Sequence, residues 1–153
     1  MARSKLQKVR SPRQREGDVF AIALGELGFA FGRICAGGDH AYYDVLAVNV
    51  PPLDEIVNRP IIFRVPVARD ALAAGGWRIL GNVPLGGDLA RPAVYRHQPV
   101  GSKQAFRYSA GTSVAASAAE VAPLETLATW FSMHIEQRLR NHFANRPDSA
   151  VKS

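Results

Sequence analysis

The fold is decided by residues 17–34, which read GDVFAIALGELGFAFGRI. Residues 18–24 are rich in strand-type side chains, residues 25–28 supply turn residues, and residues 29–34 form a second strand-type run. This order predicts a β-hairpin. In its second arm, Gly32 indicates a bulge or a close backbone approach, because glycine inside a strand offers no side chain to pack.

Working outward, a third strand is predicted over residues 40–48, where side chains alternate between two sheet faces. We expect one face to be buried, formed by Ala41, Tyr43, Val45 and Ala47. The other face is then exposed, and it is formed by His40, Tyr42, Asp44 and Leu46. Beyond a proline pair, the composition predicts one helical turn at 53–57 and a fourth strand at 61–65.

The second half of the chain continues this pattern and then changes period. A short helix over 69–74 and a strand over 77–80 are predicted, followed by a last hairpin that pairs 94–98 with 105–109. From Pro123 the apolar side chains recur at about 3.6 residues, which predicts one amphipathic helix of about six turns. Its apolar positions are Leu124, Leu127, Ala128, Phe131, Ile135, Leu139 and Phe143.

We therefore predict a mainly β (α+β) fold. It is a twisted antiparallel sheet or a small, partly open barrel, with one C-terminal amphipathic helix packed on it. The β-rich domain spans residues 17–109, an Ala/Ser linker spans 110–122, and the helix spans 123–146 as part of the same domain. Residues 147–153 are expected to form a frayed tail.

The net charge of +6 is concentrated at the start of the 153-residue chain. Residues 1–16 contain six basic side chains and one acidic side chain, with few apolar ones. Such a leader cannot bury enough surface to offset its ordering entropy, so we expect it to be disordered. It is either a solvated tail or a tether to nucleic acid or a membrane.

The cysteine content and the lengths of the apolar runs indicate the cellular compartment. The single cysteine, Cys35, cannot form an internal disulfide, and we expect it to be a small buried thiol. No run approaches the roughly 18 apolar residues of a membrane span. These features predict a cytoplasmic protein that does not bind a membrane.

Catalytic, cofactor and metal motifs do not emerge from the sequence. The histidines lack the spacing of a metal site, and His40 and Asp44 stand too far apart along one strand for an acid–base pair. The run Gly28-Phe-Ala-Phe31 overlaps the stacking motif of RNA-recognition sheets only in its centre, so we expect core aromatics there. Trp77 is also expected in the core.

Four blocks of this sequence resemble the immunity protein 26 family of bacterial polymorphic-toxin systems. They cover about residues 17–109, and residues 130–147 look like an extension seen on some members. The resemblance implies a mostly β domain without enzymatic activity or cofactor that binds a toxin domain encoded nearby. The blocks are Gly17-Asp-Val-Phe-Ala-Ile-Ala-Leu24, Gly28-Phe-Ala-Phe-Gly-Arg-Ile34, Arg59-Pro-Ile-Ile-Phe-Arg-Val65 and Gly76-Trp-Arg-Ile-Leu-Gly-Asn82.

The expected partner is therefore the C-terminal domain of a cognate toxin, bound at nanomolar affinity or tighter, which corresponds to at least about 12 kcal/mol. If the toxin has a basic substrate groove, carboxylates of this chain should form the main charged contacts with it. The candidate partner-binding residues are Tyr42, Asp44, Asp54, Glu55 and Asp88. The alternative is a small nucleic-acid-binding β domain whose basic leader contacts phosphates, with an affinity that falls steeply with salt.

Overall fold

The computed structural model describes residues 14–145 and 151–152. The predicted disorder of residues 1–13 lies outside this range. Residues 14–16 are placed and exposed, and Glu16 Oε2 accepts a hydrogen bond from the Gly37 N–H at 3.1 Å. In the predicted frayed tail, Val151–Lys152 instead forms a short strand, and residues 147–150 and 153 lie outside the described residues.

A seven-stranded sheet, called the main sheet below, forms the centre of the molecule. The strands are β1 (Asp18–Ala23), β2 (Phe29–Ile34), β3 (His40–Tyr43), β4 (Leu46–Ala47), β5 (Ile61–Val65), β6 (Arg78–Asn82) and β10 (Val151–Lys152). They run in the spatial order β5, β3, β2, β1 and β6, while β4 also borders β2 and β10 lies parallel to β4. The other pairings are antiparallel, and β1 with β2 is the predicted hairpin.

Helices cover both faces of the main sheet. The helices are α1 (Leu53–Val57), α2 (Ala71–Gly75), α3 (Ala118–Val121) and α4 (Ser132–Ala144). The first core lies between the sheet and α2 with α4, and the second core lies between the sheet and α1. The predicted fold class, mainly β with a C-terminal helix packed on an antiparallel sheet, is confirmed.

Because both faces are covered, the prediction of an exposed face on β3 is wrong. His40 and Tyr42 are buried, as are their neighbours Ala41 and Tyr43. The side chains of His40 and Tyr42 pack in the first core, and that of Tyr43 packs in the second core. A strand that is buried on both faces cannot be recognised from alternation alone.

The first core contains an aromatic cluster that explains Gly32. The ring of Phe20 stacks on Trp77, with centroids 5.5 Å apart and an interplanar angle of 5°. A Cβ added at Gly32 would lie 2.5 Å from Phe20 Cζ and 2.9 Å from Tyr42 Cδ1. Gly32 stays in regular register with Phe20 and Tyr42, so the predicted bulge is not found at this residue. The groups that approach it closely are aromatic side chains and not the predicted backbone. The core position predicted for Trp77 is confirmed, because only 5% of its surface is exposed.

A second, three-stranded sheet, called the small sheet, contains β7 (Tyr95–His97), β8 (Ala105–Ser109) and β9 (Thr112–Ala116). The predicted pairing of 94–98 with 105–109 is confirmed by the β7–β8 ladder. The range predicted as an Ala/Ser linker, 110–122, contains β9 and α3. The Ala110-Gly111 turn has positive φ at both residues, and Ser117 and Glu120 form a capping box that begins α3.

The C-terminal helix begins at Ser132 and not at Pro123. Residues 122–124 form a turn after α3. The backbone that follows bonds to β7 and to the residue after β5: the Leu127 N–H donates to Arg96 O at 2.8 Å, and the Trp130 N–H donates to Pro66 O at 3.0 Å. These tertiary hydrogen bonds replace helical ones. Of the predicted stripe, Ile135, Leu139 and Phe143 are buried in α4, while Phe131 is 52% exposed.

Candidate partner-binding surface

The five predicted partner-binding residues do not form one patch. Tyr42 is buried in the first core, where its hydroxyl lies 3.0 Å from His40 Nδ1 and its ring lies 4.9 Å from that of Phe63. The expectation that Tyr42 lies on an exposed face is wrong. A toxin cannot contact this side chain without disrupting the core.

Asp44 occupies the bend between β3 and β4, and only 14% of its side chain is exposed. Its Oδ1 lies 3.0 Å from His142 Nε2 near the end of α4, and its carbonyl oxygen accepts from the Arg59 guanidinium at 3.2 Å. These contacts tie the helix and the β4–β5 connection to the sheet. Asp44 thus positions other elements of this chain.

Asp54 and Glu55 both lie exposed on α1. Neither carboxylate forms an ion pair with another described residue. Val48 and Val50, which precede the helix, are 56% and 37% exposed. Val50 is four residues from Asp54, so the chain holds their Cα atoms within about 14 Å. We call Val48, Val50, Asp54 and Glu55 the α1 surface.

The inner side of α1 holds this surface in place. Ile56 is fully buried in the second core, and Leu53 packs against β6, where its Cδ1 would lie 2.7 Å from a Cβ added at Gly81. The Asn58 side-chain amide donates to Asp54 O at 2.8 Å. The two exposed carboxylates are therefore presented on an anchored helix, which reduces the entropy lost when a partner binds.

Asp88 lies apart from α1, in the loop between β6 and β7, and 93% of its side chain is exposed. Its carboxylate pairs with Arg91. This loop borders a cleft of about 370 Å³ between the main sheet and the small sheet, called the inter-sheet cleft. The cleft is lined by Asp39, Pro66, Pro92, Tyr95, Tyr108 and Thr129, among others.

One side chain, Arg64 on β5, organises the rim of the inter-sheet cleft. Its guanidinium donates to the Asp39 carboxylate at 2.9 and 3.1 Å. It also donates to three carbonyl oxygens, those of Ala36 at 3.3 Å, Asp88 at 3.0 Å and Arg91 at 2.9 Å. The cation therefore joins the loop after β2 to the loop after β6.

Two side chains, Tyr95 in the inter-sheet cleft and Cys35 beside it, have chemical groups that could act as nucleophiles when deprotonated. The Tyr95 hydroxyl donates to Asp39 Oδ2, and burial together with this hydrogen bond raises the pKa of Tyr95. The nearby Cys35 is buried as predicted, and burial raises the pKa of its thiol to about 12. Neither group has the lowered pKa that an activated nucleophile needs. The hydrogen bonds among Asp39, Arg64 and Tyr95 therefore suit a structural role, in which they hold the loops around the cleft together.

Sequence reasoning missed Asp39, Arg64 and Tyr95 because Arg64 and Tyr95 are 25 and 56 residues from Asp39 along the chain. No local spacing could have signalled the contact. Within the residues that the structure describes, no cluster of three or more His, Cys, Asp or Glu side chains could hold a metal ion. No helix in the described ranges is long and apolar enough to cross a bilayer.

Comparison with known proteins gives a match to a protein family. The family model described as Immunity protein 26 matches residues 15–106, which is more than half of the chain. The matched range includes the main sheet from β1 to β6, the α1 surface and the start of the small sheet. No curated protein and no solved structure matches.

Proposed function

The chain belongs to the immunity protein 26 family, and on that premise we propose that it neutralises a cognate toxin domain by binding it tightly, with the α1 surface at the centre of the contact. Family membership gives an immunity role in a toxin system. It also favours a binding protein over an enzyme. The binding mechanism and the contact surface are the proposed steps.

The observation that carries the proposal is the combination of groups on the α1 surface. A protein interface needs apolar side chains that lose water together with polar groups that fix the partner's orientation. The exposed valines supply the first, and the carboxylates of Asp54 and Glu55, which form no ion pair with another described residue, supply the second. A toxin with a basic surface would bind here, and the opposite charges would accelerate association.

Neutralisation by mass action requires that nearly all toxin is bound. A nanomolar dissociation constant corresponds to about 12 kcal/mol. A rigid surface supports such an affinity because little conformational entropy is lost on binding, and α1 is anchored by Ile56 and Leu53. Asp88, on a different loop, is proposed as a contact at the periphery.

The experiment uses the toxin C-terminal domain encoded beside this chain, produced with an inactivating substitution so that both proteins can be purified. We expect isothermal titration calorimetry to give a nanomolar or lower dissociation constant, and co-expression of the active toxin to restore growth. The double variant D54K/E55K should bind about 100-fold more weakly, because two attractive charges become repulsive.

The matched control reverses two exposed carboxylates elsewhere, in the double variant E26K/D70K. It carries the same change in net charge and should bind within about threefold of the wild type. If both double variants bind alike, the α1 surface is not the contact. If the wild type neither binds nor protects, the proposed function itself is wrong.

The nucleic-acid alternative has less support in the described residues. Residues 14–145 contain twelve Lys and Arg against twelve Asp and Glu. Phe29 and Phe31 pack in the second core, so this pair provides no exposed platform on which bases could stack. Deletion of residues 1–13 should leave toxin binding unchanged, whereas a phosphate-binding leader would lose a strongly salt-dependent affinity.

A further inference from the structure

The outer edge of β9 is open. In the small sheet β8 lies between β7 and β9, and the far edge of β7 is covered because the Arg96 N–H donates to Glu125 O at 2.9 Å. Among residues 14–145 and 151–152, no strand pairs with the far edge of β9. An open edge presents backbone donors and acceptors to whatever strand can reach it.

The register identifies which backbone groups face outward. Ser109 lies opposite Thr112 across the two-residue Ala110-Gly111 turn. In such a hairpin the pair that flanks the turn exchanges both hydrogen bonds, and so does every second pair after it. Thr112, Val114 and Ala116 therefore bond to β8. The N–H and C=O groups of Ser113 and Ala115 point away from β8.

The side chains of β9 are also unprotected. Residues 112–115 are all exposed, so neither face of this part of the strand is covered, and Val114 is 48% exposed. Ala116 alone is buried, in a small cluster with Ala105 and Val121. A strand usually gains its stability from packing on at least one face. The segment thus has both unpaired backbone groups and uncovered apolar surface.

We propose that β9 pairs with β9 of a second copy of this chain, antiparallel across a two-fold axis at Val114. In this register Ser113 lies opposite Ala115 of the second copy, and the reverse pair is identical by symmetry. The two pairs exchange four backbone hydrogen bonds. Val114 lies opposite its own copy as a non-hydrogen-bonded pair, in which side chains approach most closely. The result is a continuous six-stranded sheet.

Charge favours a second copy as the occupant. Residues 110–117 contain no charged side chain, so the strand meets itself without repulsion. The nearest cation on the face of Val114 is Arg107, its partner on β8. Three strand spacings separate the two copies of Arg107, roughly 14 Å, which exceeds the screening length of about 8 Å at physiological salt. A basic toxin would find no complementary charge here.

The contact is small, because β9 is five residues long. Interfaces well below 1,000 Å² form weak or transient complexes. We expect a dissociation constant of about 0.1–1 mM. This pairing shares no residue with the α1 surface, and it stands or falls independently of toxin binding.

Sedimentation equilibrium of the full chain without toxin, from about 10 μM to about 1 mM, tests the proposal. The wild type should shift from monomer towards dimer. V114K should dimerise at least tenfold more weakly, because two cations would meet at the axis. A115P should do the same, because proline removes an outward donor and no bond to β8. V100K, at a fully exposed valine outside β9, is the matched control and should behave as wild type.

A wild type that stays monomeric at about 1 mM would overturn the proposal. Equal dimerisation of the wild type, V114K and A115P would also overturn it, because the dimer would then use another surface. If V114K instead weakens toxin binding while the wild type stays monomeric, the edge accepts a strand of the toxin and the second copy is excluded. Far-ultraviolet circular dichroism verifies that each variant is folded.

Discussion

The buried histidine His40 should make the free energy of unfolding depend on pH. Its ring centroid lies 5.0 Å from that of Phe20, and its Nδ1 lies 3.0 Å from the Tyr42 hydroxyl. Burial lowers the pKa of His40 to about 4. Above pH 6.5 the imidazole is neutral in both the folded and the unfolded chain. Between pH 6.5 and 4 the unfolded chain binds a proton that the folded chain does not bind.

The free energy of unfolding should therefore decrease as the pH falls through this window, by about 3 kcal/mol in total. Urea unfolding between pH 7 and 4.5 measures the loss. His40→Asn should lack this component, whereas His134→Asn, at an exposed histidine, should keep it. Proton NMR of the imidazole gives the pKa directly. Titration of His40 near pH 6.5, or the same pH slope in His40→Asn, would refute the reasoning.

Two further predictions concern the cores. Gly32→Ala should lower the free energy of unfolding by about 2 kcal/mol, because the added Cβ would lie 2.5 Å from Phe20 Cζ. Thermal unfolding compares it with Gly86→Ala, whose Cβ would meet no atom within 4 Å, and equal melting temperatures would contradict the prediction. Cys35 should not react with Ellman's reagent at pH 8 until the protein is unfolded, because its thiol is buried and the pKa is about 12. Rapid reaction of the native protein would disprove this.

Local chemistry made much of the fold predictable. The hairpin over 17–34 combines strand-type residues with a glycine-bounded turn, and both arms appear where the sequence places them. The single helical turn at 53–57 and the strand at 61–65 follow from the prolines that precede them. The burial of Cys35 and Trp77 follows from their residue types.

Features set by distant segments were not predictable. Alternation along β3 indicated one buried face, but the helices that cover the two faces come from residues 53–57 and 132–144. The apolar period from Pro123 indicated a long helix, but the backbone of 125–130 bonds to β7 and to the segment that follows β5, both far away in sequence. In the candidate site, only Asp54, Glu55 and Asp88 of the five predicted residues are exposed, since exposure depends on those same packings.

The bonds of Arg64 have a consequence for local unfolding. The loop at 36–39 and the loop at 88–91 are about 50 residues apart, yet each depends on the same guanidinium for hydrogen bonds. If either loop moves away, the Arg64 side chain is less well fixed, and its hydrogen bonds to the other loop weaken. Amide hydrogens in both loops should therefore exchange with solvent as one cooperative unit, at a free energy below that of global unfolding.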